Sequence, residues 1–118
     1  MNIIADYVKS LELKPVFVKN LGNFKAYTFK MTVSQANDFI TLFNSEKQKD
    51  EHAESRKLAF VIVDENGKKP FNINNLDDIK DLSNLPFYDY AEIMKVFNKI
   101  NGFDDEDKKK QSQTEKNS

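Results

Sequence analysis

Six consecutive apolar residues, Leu58 to Val63 in "KLAFVIVDENGKKPFN", constrain this chain more than any other stretch. A run that dense has no polar face to turn towards water, so it belongs inside a core. It falls far short of the roughly 20 residues needed to span a bilayer. Periodicity alone does not separate a buried helix from a buried strand. The residues that follow favour the end of a helix: Asn66-Gly67 is a suitable left-handed C-cap, and Pro70 acts as a stop. On that reading the stretch ends one helix and turns the chain towards the next. The alternative is a strand entering a type I′ hairpin on the same Asn-Gly.

The same segment invites two ligand-binding readings, and spacing removes both. With Gly67 at position 6 of a calcium loop, Ile62 falls at position 1 and Ile73 at position 12, so both ends of the oxygen cage are missing. A phosphate loop needs an earlier glycine where Ile62 stands, and Ser or Thr where Lys69 follows Lys68.

The chain has 118 residues, enough for one modest core. Its net charge is −1 with 31% charged residues, which argues against a nucleic-acid binder driven by phosphate neutralisation. The absence of cysteine excludes disulfides, a thiol nucleophile and thiolate-bound metal. The single histidine, His52, lies in "EKQKDEHAES" without an evident zinc or triad partner and reads as a solvated helix-surface residue. Asp6 interrupts the amino-terminal apolar residues before a signal segment could build up.

Along the chain, Ile4, Tyr7, Val8 and Leu11 mark one face of a short helix, with Asn2 as its cap. "KPVFVK", Lys14 to Lys19, is extended in character, and "NLGN", Asn20 to Asn23, is a turn. Tyr27, Phe29, Met31 and Val33 then alternate with Ala26, Thr28, Lys30 and Thr32, the period of a half-buried strand. The two extended segments read as a hairpin that needs helices on one face. Ser34 offers a cap for a helix carrying Phe39, Ile40, Leu42 and Phe43, followed by a polar stretch from Ser45 to Lys57. Asn75 caps a short helix with Leu76, Ile79 and Leu82. Asp77, Asp78 and Asp81 fit the dipole of a solvated helix end better than a metal cage, because no second cluster completes one.

The last helix restarts at "SNLPF", with Ser83 or Asn84 as cap and Pro86 in the first turn, and closes at Gly102. Its apolar residues exceed what one stripe requires. Phe87, Tyr90, Met94 and Phe97 are expected to face the core, leaving Tyr88, Ile93, Val96 and Phe103 as candidate partner-binding residues. After Phe103, "DDEDKKKQSQTEKNS" has no apolar residue and is expected to be a disordered tail. The expected architecture is therefore α+β, mainly α: a short N-terminal helix and a β-hairpin, then three or four helices. Residues 1–103 would form one domain and residues 104–118 the tail.

In order and pattern, "MNIIADYVKSL", the extended pair leading into "FKMTVSQANDF", "LAFVIVDENGKKPFN", "LDDIKDLSNLPF" and "AEIMKVFNKINGF" resemble the tail assembly chaperones of long-tailed phages of Gram-positive hosts. The resemblance covers most of the chain and lies in hydrophobic patterning, turns and the charged tail. It implies a non-enzymatic factor in the host cytoplasm that binds the tape measure protein and keeps it soluble. It also implies that the factor supports tail tube polymerisation and is absent from the mature virion. No cofactor, metal, nucleic acid or membrane is implied. Related chaperones can self-associate, which leaves room for a homo-oligomer. In that family a frameshift-extended product often recruits the tail tube protein, and the codons of Lys108 to Lys110 could form the slippery run. The alternative is a structural virion component such as a head–tail connector or a tail-completion protein. The residues themselves carry no nucleophile with a base, no glycine-rich loop and no metal-ligand cluster, so an enzyme is not expected.

Overall fold

The run from Leu58 to Val63 starts as helix and finishes as strand. The computed structural model describes residues 3–43 and 51–103. Within it, the helix α3 spans Ala53–Val61. Ile62 leaves helical geometry at φ −85°, ψ 127°, while its N–H still bonds the carbonyl of Leu58. Val63 then pairs antiparallel with Tyr27, the two residues exchanging N–H···O bonds of 3.0 and 2.8 Å. The helical reading therefore holds through Val61, and extended backbone takes over for the last two residues. Leu58, Val61, Ile62 and Val63 are all buried.

The element order is α1 (Ile3–Ser10), β1 (Val16–Leu21), β2 (Phe24–Thr28), α2 (Val33–Phe43), α3, α4 (Leu76–Ser83) and α5 (Phe87–Ile100). This is the expected mainly helical α+β architecture, with five helices and one antiparallel hairpin among the described residues. The expected cap Asn2, residues 45–50 of the polar stretch and the expected tail lie outside the described residues. No helix among the described residues is long and apolar enough to cross a membrane.

The hairpin turns at Gly22-Asn23, inside the expected "NLGN", with Leu21 opposite Phe24. Gly22 takes φ +64°, as the first position of a two-residue type II′ turn requires. Val18 is an extra residue between the Phe17–Tyr27 and Lys19–Ala26 pairs, a bulge that shifts the register of β1. β2 stops at Thr28, well short of Val33, which is the first residue of α2 and 90% exposed. Its buried face carries Ala26 and Thr28, the opposite parity from the expected Tyr27, Phe29 and Met31. Two small side chains allow close approach of the backbone at the end of α3. There, Thr28 Oγ1 donates to the carbonyl of Val61 at 2.8 Å.

Helix ends follow local chemistry with some displacement from the expected positions. Thr32, rather than Ser34, caps α2: its Oγ1 accepts from Gln35 N–H, and Gln35 Oε1 accepts from Thr32 N–H. That reciprocal pair is a capping box. Asn75 caps α4 as expected, its Oδ1 accepting from Asp78 N–H at 3.1 Å. Ser83 is the last residue of α4 and not a cap for α5: its hydroxyl donates to Ile79 O and meets Ser55 Oγ at 2.6 Å. Pro86 takes the N-cap position of α5, one place before the first turn.

Asn66-Gly67 does not cap α3, which ends well before it. The pair belongs to a turn organised by Asp64, whose Oδ1 accepts from Asn66 N–H and Lys68 N–H and whose carbonyl accepts from Gly67 N–H. The φ of Gly67 there is +81°.

The core centres on α3, α4 and α5 packed against β2, with Ala26, Leu58, Ile79, Leu82, Ile93 and Phe97 as part of its buried cluster. On one flank the rings of Phe39, Phe60 and Phe97 meet with centroids 5.3 and 5.4 Å apart, joined by Phe29 and Phe43. Asn101 ties the end of α5 to the segment after β2, accepting from Met31 N–H and donating to Phe29 O. Among the described residues, no buried side-chain nitrogen or oxygen lacks a hydrogen-bond partner.

Replacing Thr28 with Val keeps the shape and removes the only donor that Thr28 offers to the Val61 carbonyl. Leaving that buried acceptor unmatched should cost about 1–3 kcal/mol. Equilibrium urea unfolding of Thr28→Val against wild type measures it directly, and an unchanged midpoint would mean that the carbonyl has another partner.

Candidate partner-binding surfaces

The four candidate residues of α5 do not form one surface. Ile93 is completely buried and shares the core with Phe97, one helical turn on, so it is unavailable to a partner. Phe87, expected inside, is 76% exposed at the first helical position, its ring beside that of Tyr90 at 5.5 Å. The buried stripe of α5 is thus centred on Ile93 and Phe97, flanked by half-buried Tyr90 and Met94. Tyr88 is 69% exposed. It shares with Val96, Val18, Ala91 and the stems of Glu92 and Lys95 an open hollow of about 470 Å³. Phe103 lies beyond the opposite end of α5, half-buried, its N–H bonded to Asn98 O. A 14-residue helix separates it from Tyr88 by roughly 20 Å.

An ion-pair clamp borders that hollow. Lys19 of β1 donates to both Asp89 and Glu92 of α5, and its ammonium lies 5.1 Å from the centre of the Tyr88 ring. These hydrogen bonds, to Asp89 first and then Glu92, hold the Lys19 ammonium above its ordinary range. The bulge at Val18 shifts the register of β1 immediately before Lys19. Sequence reading missed the clamp because 70 residues separate Lys19 from Asp89. On α5's other flank, burial and a hydrogen bond to Glu54 raise the Tyr90 phenol.

A second surface is α1. Ile4 (66% exposed), Tyr7 and Val8 (57% each) lie at helical spacing, with Ile3 (78%) beside them, and Leu11 and Leu13 continue the apolar exposure beyond the helix. Among the described residues, no other helix or strand packs extensively on α1. The sequence marked this stripe correctly, but its period is the same whether the face meets a core or a partner.

The third feature is a groove of about 630 Å³ between α2 and the segment leading into α4. Lys69 stands at its edge. Its ammonium donates to Phe60 O and lies over the Phe60 ring at 3.9 Å and the Phe29 ring at 4.9 Å. Burial pushes this amine down to about 8. The two ring faces favour the cation by about 0.5–2 kcal/mol and recover part of that shift. His52, half-buried at the start of α3, lies 3.4 Å from Glu51. Among the described residues, no group of three or more His, Asp or Glu side chains could hold a metal ion.

No family model, no curated protein and no solved structure matches this chain.

The environment of Lys69 gives a signed pH dependence. With a folded-state pKa below the unfolded value of about 10.4, the native protein holds fewer protons than the unfolded chain in the interval between the two. Stability should therefore rise with pH from about 8 towards the unfolded value, relative to Lys69→Met. A site-specific ¹⁵N titration of the Lys69 amine should give a midpoint below the ordinary lysine range. A midpoint at or above that range would mean that rings and carbonyl outweigh burial.

Proposed function

We propose that this protein is a tail assembly chaperone of a long-tailed phage. On this reading it binds the tape measure protein, keeps it soluble while tube subunits polymerise, and leaves before the virion is complete. The observation that carries the reading beyond the resemblance of sequence pattern is the exposed apolar stripe on α1. A long helical partner with one apolar face aggregates unless that face is covered, and a short amphipathic helix can cover part of it.

The size of the stripe suits a contact that must later break. Burying a few half-exposed apolar side chains at about 25 cal/mol per Å² yields only several kcal/mol before the cost of association is subtracted. One copy would bind weakly, and many copies along one long partner would bind well. The Tyr88–Val96 hollow offers a further apolar contact on the same terms. No catalytic step is assigned to the protein.

Affinity purification from infected cells separates this reading from a connector or completion protein. The chain should copurify with tape measure protein from lysates and be missing from purified particles. Its retention in mature particles at a fixed copy number would contradict the chaperone reading.

A further inference from the structure

The groove beside α2 has a shape and a charge that specify an occupant. Its apolar lining comes from Ala59 and Phe60 of α3, Leu42 of α2, and Phe71 and Ile73 of the segment before α4. Asp38 and Thr41 share the Leu42 side of α2, at helical spacing, and Asp78 comes from the first turn of α4. The described walls are helix side chains and a loop, with no strand edge among the described residues to receive an extended peptide. Of the described cations at the groove, Lys69 directs its charge at Phe60 O and two rings, and Arg56 donates through its guanidinium to Ile73 O at 2.7 Å. Asp78 accepts only the Asn72 N–H, and Asp38 has no hydrogen-bond or ion-pair partner among the described residues. An apolar floor is thus rimmed by two carboxylates that form no ion pair with a described cation.

We infer that this groove docks an amphipathic helix of a partner protein, with bulky apolar residues one turn apart and a lysine or arginine on its flank. The apolar residues cover Leu42, Phe60, Phe71 and Ile73, and the basic residue meets Asp38 and Asp78. The chain's own segments fit less well. α1 carries Asp6 as well as Lys9, so a second copy would bring an acid to an acidic rim. The basic block Lys108 to Lys110 has no apolar neighbour with which to fill the floor. The inference rests on the chaperone reading only for the natural source of the helix, which would then be the tape measure protein.

Two designed helical peptides with the same leucine stripe, one flanked by lysines and the other by glutamates, test it on the full chain by ¹H–¹⁵N correlation spectra. The lysine peptide should shift the amides of Leu42, Phe71 and Ile73 and bind at least about tenfold tighter than the glutamate peptide. Asp38→Lys, a change at an exposed position, should erase or invert that preference. Equal binding of both peptides, shifts confined to α1 or Tyr88, absence of binding, or an unchanged preference in Asp38→Lys would each overturn the inference. So would a dimer, seen by sedimentation and abolished by Tyr7→Asp in α1, whose formation blocks the lysine peptide: the occupant would then be a second copy. The peptide result stands apart from copurification. A groove that selects the lysine peptide in a protein that ignores tape measure protein leaves this inference intact and removes the chaperone reading.

Discussion

The join between the end of α3 and β2 is the constraint on which the other packing depends. A two-stranded hairpin is marginal by itself in water. Here its second strand is held from the other side by Val63, through both backbone bonds of Tyr27, and by Thr28 Oγ1 on the Val61 carbonyl. The same few residues end a helix, satisfy one of its last carbonyls and extend the sheet. Because Leu58, Val61 and Ile62 belong to the core that also contains Ile79 and Ile93, fixing this join also fixes where α4 and α5 lie. The Lys19 clamp and the Asn101 bonds then secure the two ends of α5.

Much of this was legible in the sequence because it is local. Asn75 at the head of α4, the turn around Gly22 and the close of α5 at Gly102 each follow from residue types that solve one backbone problem. The capping box of Thr32 and Gln35 is equally local, although Ser34 two residues on offers a competing cap. The buried face of β2 differs from the alternation pattern for a physical reason. Alternation favours the larger residues for burial, yet a strand lying against a helix end needs small ones, and Ala26 and Thr28 met that need. Asn66-Gly67 has the residue types of a helix cap, and nothing local in the sequence says that Asp64 gathers the loop's N–H groups instead.

The candidate binding residues show the limit of periodicity more sharply. The apolar pattern of α5 gives the slope of a stripe, but neighbours decide which part of it is covered. Hence Ile93 went inside and Phe87 stayed out. On α1 the pattern marks one helical face, and that face lies exposed, which the period by itself does not decide. The groove had no sequence signal at all, being assembled from α2, α3 and a loop that follows the Asp64 turn. These surfaces share modest apolar area with charge close by, a combination that gives orientation and reversibility more than affinity.

Native-state hydrogen exchange of the backbone amides tests the central claim most directly. If the α3–β2 join is the structural keystone, the amides of Tyr27, Ile62 and Val63 should exchange only through global unfolding, with a free energy equal to that from denaturant melts. The amides of α1 should exchange far sooner, through local opening. Rapid, denaturant-independent exchange at Val63 and Tyr27, with slower exchange elsewhere, would contradict the account and place the keystone in another part of the molecule.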